Sequence, residues 1–428
     1  MKKILFDATV LVDGNDMVEE RRGIYFIARE LLLEMKRRLP GQILLYATTY
    51  KISGLKKVQQ SLSIKVNLYR KPPFFSEILY NVAIWFRRKR MDNIDRPLRR
   101  KFFSLGILFP SIVGTTLFFF SNLFYNMDDV VFFSPRSSAP WFINRNKKIK
   151  KYIVLHDLIP YLESGHLEMK MWGWFAHLIR HLNGVDHYFA ISESTKADYL
   201  RFTGKISPEQ VNVVYWAPLK MYGADISRER KFEVERKYNI PKEKKYVFAL
   251  GSFEPRKNLI RIARSFVTFI EKNEISDLIL IVGGGNQELF IPTMEKQVGN
   301  FLKYRNSIIH IGYIQDCDLP VFYSFAEWFV FTSRYEGFGL PPLEAMKCGC
   351  PVITSNNSSL PEVVGDAGIM IDWDDDGQHV RAYEKLYFDE HLRREYRHRA
   401  LKRAACFSWT KTTKIILTEM GLLCLRDT

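Results

Sequence analysis

The chain has 428 residues, 47% of them hydrophobic and 26% charged, and a formal net charge of +16. That length predicts two domains with substantial cores, and that composition excludes a disordered chain, a collagen-like repeat and a multi-span membrane protein. The charge brings nucleic acid, an anionic membrane and a polyanionic small molecule into view as partners.

In chain order, Lys2 and Lys3 precede Ile4-Leu5-Phe6, but Asp7 interrupts the apolar run too early for a signal peptide, so it reads as a strand near 3–8. After Arg21-Arg22, Gly23 opens a helix with Ile24, Ile27, Ala28, Leu31 and Met35 at helical spacing, which makes a βα unit whose turn can bring backbone close to a phosphate. A second strand is expected near 43–48. Residues 1–250 carry 42 Lys and Arg against 24 Asp and Glu, whereas residues 251–428 carry 21 against 23, so the positive excess belongs to the first part. Within it, residues 65–101 hold eleven basic residues and three acidic ones beside Phe74, Phe75, Tyr80, Trp85 and Phe86. Basic heads beside aromatic bodies suit a lipid headgroup layer or a nucleic acid, and equally a solvated basic face over core aromatics. Residues 104–121 are the most apolar stretch, yet Gly106, Pro110, Gly114, Thr115 and Thr116 interrupt them; a shallow insertion fits better than a spanning helix.

Further strands are expected near 151–156, 186–191 and 211–216, then 246–251, 278–283, 308–313, 328–333, 351–354 and 368–371, alternating with helical patterns. Such alternation means parallel sheets covered by helices, and the polar stretch between about Pro218 and Lys245 marks a domain boundary. Two doubly wound α/β domains turn the carboxyl ends of their sheets toward one cleft, so functional residues belong at strand ends. Cys317, Cys348, Cys350, Cys406 and Cys424 build no disulfide framework and fit a reducing compartment.

Three strand ends carry chemistry. Strand 151–156 closes on His156-Asp157, a polar pair that is either a site element or a satisfied structural group. Strand 246–251 closes on Gly251-Ser-Phe-Glu-Pro-Arg256-Lys257-Asn258, with Asn258 expected to cap the next helix. A guanidinium and an ammonium on one loop can neutralise a diphosphate leaving group as its charge develops. The third run starts at Arg334 and reads Tyr-Glu336-Gly337-Phe338-Gly339-Leu340-Pro-Pro-Leu-Glu344. Gly337 and Gly339 let backbone approach a ligand, and Pro341-Pro342 preset the first turn of the helix that carries Glu344. A helix start is an anion site, but the prolines have no N–H, so phosphate-binding amides must come from Phe338, Gly339, Leu340 or Leu343. The acidic groups Asp316-Cys-Asp318 and Asp374-Asp375-Asp376 could suggest metal ligands or be ordinary loops.

The run Glu336 to Met346, then Cys348-Gly-Cys-Pro-Val-Ile and Ser359-Leu-Pro-Glu-Val-Val-Gly-Asp-Ala-Gly, resembles the E-x7-E region of the retaining group 1 (family 4) glycosyltransferases. Glu254-Pro-Arg-Lys-Asn-Leu and His156-Asp-Leu-Ile-Pro resemble its mannosyltransferase-like subgroup of bacterial polysaccharide assembly. The resemblance covers about 243–410 strongly and 1–30 and 130–220 sparsely. It implies an α/β GT-B fold of two Rossmann-like domains: an acceptor domain over 1–222, a linker over 223–242, a nucleotide-sugar domain over 243–405, and a carboxyl-terminal helix over 406–428 crossing back to the first domain. It further implies that Glu336 and the amides after it hold the donor sugar and phosphate, Glu344 the ribose, Lys257 the diphosphate, His156 the donor sugar, and Tyr313-Ile314 the base. Many members carry an Arg five residues before the Lys, where this chain has Ser252, so either Arg256 or Arg334 supplies the second positive charge or the leaving group is stabilised less.

The reading is a retaining transferase that moves mannose or a related hexose from a nucleoside-diphosphate sugar, GDP-mannose or a related GDP- or UDP-sugar, to a lipid-linked saccharide. It would work in the cytoplasm at an anionic membrane surface, without metal and without nucleic acid as partner. The alternatives are a nucleotide-sugar epimerase on the same fold, which needs no acceptor, and a catalytically silent partner subunit.

Overall fold

The computed structural model describes residues 2–16, 23–47, 51, 54–65, 67–68, 82–86, 89–90, 104, 129–136, 139–140, 143–144, 146–162, 178–242, 244–285 and 287–423. Arg21, Arg22, Cys424, most of the basic run 65–101 and all but Ser104 of the apolar stretch 104–121 lie outside them.

The first sheet comprises β1 (Lys3–Asp7), β2 (Ile43–Tyr46), β3 (Asn67–Leu68), β4 (Val130–Ser134), β5 (Lys150–Leu155), β6 (His187–Ala190) and β7 (Val211–Val213), ordered β3-β2-β1-β4-β5-β6-β7 with every pair parallel. The second comprises β8 (Lys245–Leu250), β9 (Leu278–Gly283), β10 (Ile308–Gly312), β11 (Trp328–Phe331), β12 (Val352–Ser355) and β13 (Gly368–Ile371), ordered β10-β9-β8-β11-β12-β13 and again parallel. Strands covered on both faces need uninterrupted apolar runs, and Leu278–Gly283 and Trp328–Phe331 are buried at every position. In both sheets the order reverses beside the first strand, between β1 and β4 and between β8 and β11, which opens a crevice at their carboxyl ends.

Among the described residues the helices of the first domain include α1 (Thr9–Asp16), α2 (Gly23–Arg38), α3 (Leu55–Ser61), α4 (Ile159–Leu162) and α5 (Glu193–Thr203). As the spacing predicts, α2 buries Ile27, Ala28, Leu31 and Met35; Tyr25 and Leu32 join them, and Ile24 is only half-buried. The polar stretch 223–242 contains α6 (Arg228–Lys237). The second domain has α7 (Leu259–Lys272), α8 (Gln287–Gln297), α9 (Leu319–Phe325), α10 (Leu340–Lys347), α11 (Leu360–Val364), α12 (Asp376–Phe388) and α13 (Glu390–Ala405), followed by α14 (Trp409–Glu419).

That last helix lies on the first domain. The rings of Trp409 and Trp216 stack with centroids 5.7 Å apart, Tyr152 donates to the Glu419 carbonyl, and the Thr412 hydroxyl donates to the Tyr215 carbonyl. Buried side chains of both domains therefore form one continuous cluster that includes Trp216, Tyr222, Tyr323, Phe338 and Ile416.

Three details depart from the sequence reading. The two-residue strand β3 and the buried strand β4 were not expected; β4 is a Val- and Phe-rich run bounded by Asp128-Asp129 and Pro135. Asn258 does not cap α7 with its side chain. It adopts φ +61° and donates instead to the carbonyls of Thr332 (3.1 Å) and Trp373 (2.6 Å), tying three loops together.

Candidate active site

The loops that leave β8 and β11 flank the switch point of the second sheet, and they bring Arg256, Lys257 and Glu336 together. Glu336 Oε1 accepts from Lys257 Nζ at 2.7 Å and from Arg256 at 2.9 Å, and Glu336 is 9% exposed. Arg256 also donates to the Tyr335 carbonyl (2.8 Å) and pairs with Glu254 (2.9 Å), while Lys257 Nζ lies 5.1 Å from the centre of the Phe331 ring. Gly251 permits this closure, since a Cβ there would stand 3.3 Å from that of Lys257. Arg334 is exposed and stacks on Trp373 at 5.9 Å, so Arg256 is the second cation beside Glu336; Ser252 bonds to Glu254.

The glycine run that follows is sterically dictated. A Cβ on Gly337 would lie 2.6 Å from that of Asp157 in the first domain, and Gly339, at φ +103°, would place one 2.8 Å from Leu360. Only glycine fits such approaches, and the positive φ turns the chain into α10 at Leu340. The Phe338 side chain is buried between Tyr215 and Phe407, with ring centres 6.0 and 6.2 Å away, so only its main chain can serve a donor.

Glu344 stands one turn into α10, apart from the Glu336 ion pairs and against Tyr222 and Tyr323, whose hydroxyl is 3.5 Å from its carboxylate. Burial pushes its carboxyl up to about 8, opposed by the hydrogen bond from Tyr222 and assisted by the charge of Asp316.

From the first domain, His156 and Asp157 follow β5. His156 Nε2 lies 2.8 Å from the Pro135 carbonyl, which places its proton on Nε2 and leaves Nδ1 as an acceptor. Burial lowers the imidazole to about 4, against the pull of that hydrogen bond and with help from Arg136, so it is neutral near pH 7. Asp157 is raised above the usual carboxylate range, first by burial and then by the Glu336 charge.

The remaining candidates separate. Tyr313 is 76% exposed, and Ile314 is buried where its Cδ1 fills the space beside Gly283. Gly23 opens α2 with nothing within 4 Å of its Cβ position, so the described residues do not gather around it. Asp318 is buried and anchors α6 through Arg230, Lys237 and Tyr238; Asp375 caps α12, and Asp376 pairs with Arg261. No cluster of three or more metal-ligating side chains occurs among the described residues.

Sequence reasoning missed the interdomain seam beside this site. The hydroxyls of Ser192 and Thr195 donate to the Gly337 carbonyl, the amides of Glu193 and Ser194 donate to Glu362, and Tyr335 donates to Asp198. Ser192 is recognisable as a helix cap in sequence, but nothing there reveals that its partner lies 145 residues away.

The "Glycosyl transferases group 1" family model matches residues 230–403. Over 286 residues, 66% of this chain, the sequence is 30% identical to the serotype-specific mannosyltransferase WbdA of Escherichia coli. Over 181 residues, 42% of this chain, it is 35% identical to the O-antigen chain mannosyltransferase B of the same organism. The chain spans 34% of the first relative's length and 46% of the second's. Among solved structures it is similar to sucrose-phosphate synthase from Thermosynechococcus elongatus, with a TM-score of 0.64, 14% identity and 98% of each chain covered. It is also similar to Anabaena Alr3699/HepE in complex with UDP and glucose, with a TM-score of 0.63, 14% identity and 99% and 100% of the chains covered. At these identities the likeness is one of fold, the two Rossmann-like domains of the GT-B class.

Proposed function

From the group 1 glycosyltransferase domain that residues 230–403 form, we propose that this chain transfers mannose or a related hexose, with retention, from a nucleoside diphosphate to a lipid-linked saccharide in cell-surface polysaccharide synthesis. The observation that carries the reading is the cluster of Lys257, Arg256 and Glu336 at the β8–β11 switch point, opposite His156 and Asp157. The mannosyltransferase names of the relatives support the choice of sugar, with GDP-mannose as the first donor to try.

In this reading the bond from the anomeric carbon to the phosphate oxygen breaks, and the acceptor oxygen bonds to the same face of that carbon. The acceptor proton passes to the departing diphosphate, so the protein needs no nucleophile of its own. Lys257 and Arg256 neutralise the charge that develops on the leaving group, and Glu336 and the backbone after it hold the sugar and phosphate. Neutral His156 offers a hydrogen bond to the sugar without adding charge. Glu344 holds the ribose, and Tyr313-Ile314 faces the base.

No helix among the described residues is long and apolar enough to cross a membrane. The basic run 65–101 and the apolar stretch after it are proposed to hold the acceptor domain to the anionic cytoplasmic face of a membrane.

The test incubates the purified chain with a panel of GDP- and UDP-sugars and lipid-linked oligosaccharides. Mass spectrometry follows added hexose and NMR follows the anomeric configuration. An α-linked product from an α-linked donor supports the proposal; a free sugar with no acceptor product favours the epimerase, and an inverted product removes the retaining mechanism.

A further inference from the structure

The two domains meet at the amino end of α5. Ser192 precedes that helix, and its oxygen accepts from the Thr195 amide at 2.9 Å. Its hydroxyl donates across the cleft to the Gly337 carbonyl at 2.7 Å, and the Thr195 hydroxyl reaches the same oxygen at 3.2 Å. The next two amides, of Glu193 and Ser194, donate to the two carboxylate oxygens of Glu362 at 2.8 and 3.1 Å, and Tyr215 donates to Glu362 Oε2 at 3.1 Å. A carboxylate beside the free amides of a helix start is electrostatically favoured, and here it belongs to the other domain. Ser192 and Thr195 are 0% and 1% exposed, so these bonds are shielded from water while the cleft is closed.

The short helix α11 that carries Glu362, with the two serines before it, also grips the loop. Ser358 accepts from the Glu336 amide at 3.0 Å, Ser359 donates to the carbonyls of Glu336 (2.9 Å) and Phe338 (2.8 Å), and Glu362 lies three residues further on in α11. Arg403 fixes α11 from behind by donating to the carbonyls of Val363 and Glu362. By contrast, the bonds from Lys257 and Arg256 to Glu336 lie wholly within the second domain. They survive if the cleft opens, whereas the hold on the Gly337 carbonyl and the packing of Asp157 over Gly337 do not.

We propose that Ser192, Thr195 and Glu362 are positioning residues that form a closure latch, so that the Glu336–Gly339 loop reaches its working position only when the domains are closed. The latch rests on the glycosyltransferase reading for the role of that loop. It makes domain closure and loop placement a single step on which turnover depends more strongly than nucleotide binding, since Lys257, Arg256 and Glu344 stay within the second domain.

The test compares Ser192→Ala combined with Thr195→Val, Glu362→Ala, and Ser192→Thr, which keeps the hydroxyl. The distance between fluorophores placed one on each domain is measured without substrate, and kcat and the affinity for the nucleoside diphosphate are measured separately. The latch variants are expected to show a longer interdomain distance, a kcat lowered about tenfold or more, and a smaller loss in nucleotide affinity than in kcat, while Ser192→Thr behaves as the parent. An unchanged distance overturns the latch, and a longer distance with unchanged kcat overturns the positioning role. Should the alanine variants melt early, Glu362→Gln, which keeps the shape and removes the charge, is read by the same criteria. If the parent transfers no sugar, the proposed function fails, and the interdomain distance still decides the latch.

Discussion

Lys257 Nζ and Glu336 Oε1, contributed by residues 79 apart in sequence, lie 2.7 Å apart where β8 and β11 end. An ammonium held by one carboxylate at the mouth of a crevice is placed to exchange that partner for a diphosphate. Lys257→Ala is therefore expected to lower kcat at least about tenfold, equivalent to about 1.4 kcal/mol of transition-state stabilisation, with little change in the melting temperature because Arg256 still neutralises Glu336. Glu336→Ala should cost at least as much, since it removes a sugar contact and leaves two cations side by side. Normal steady-state kinetics in both variants would remove the assigned site.

Glu344 yields a pH prediction for stability. Its carboxyl ionises near the ordinary 4.5 when unfolded and near 8 when folded, so between those values the folded state holds more protons and stability falls as pH rises. Glu344→Gln removes this contribution. Its melting temperature should gain on the parent from pH 5 to pH 8, while its nucleotide affinity drops. Parallel melting curves across that range would contradict the burial of this group.

His156 has the opposite sign. Its imidazole is lowered from 6.5 to about 4 on folding, so it adds stability that is present above about 6.5 and lost as pH falls toward 4. A His156→Gln variant should show a flatter acid limb than the parent. The parent's kcat/KM should show no inflection near pH 6.5 from this residue; an inflection there that vanishes in the variant would mean the imidazole titrates normally.

Transfer is expected to persist in excess EDTA, because in the proposed mechanism Lys257 and Arg256 would take the part that a divalent ion plays in metal-dependent transferases. Activity lost on chelation and restored by magnesium or manganese would overturn this, although Asp318 is engaged by Arg230 and Lys237 and would have to exchange them for the ion.

Membrane attachment is testable by co-sedimentation with vesicles. Each basic residue near an anionic surface contributes about 1 kcal/mol, so changing Arg87, Arg88, Lys89 and Arg90 to Ser should weaken recovery on anionic vesicles and reduce its dependence on salt. Equal recovery of parent and variant on anionic and neutral vesicles would return this run to an ordinary solvated face.

Much of the architecture is legible in the chain because parallel strands buried on both faces are short apolar runs, and the loops after them carry Gly, Pro and charge. Trp328–Phe331 and the run from Glu336 to Glu344 show this directly. Val130–Ser134 carries the same signal, a short Val-Phe run bounded by Asp128-Asp129 and Pro135, and its omission has no physical ground in the sequence. Asn258 escaped as a cap because its amide found carbonyls in two other loops.

By itself the sequence determined which polar groups stand on the loops after the strands: a His-Asp pair, an Arg-Lys pair and two glutamates spaced around glycines. It left open whether Arg256 or Arg334 stands beside Glu336. Strand order settles that, because setting β8 next to β11 turns Arg256 inward onto the carboxylate while Arg334 lies outward on Trp373. The hold of Ser192 on Gly337 and of α5 on Glu362 likewise exists only in three dimensions. Hydrophobic periodicity and turn chemistry act over a few neighbouring residues, whereas these contacts join residues 80 to 169 positions apart and depend on strand order within one sheet and on how the two sheets face one another.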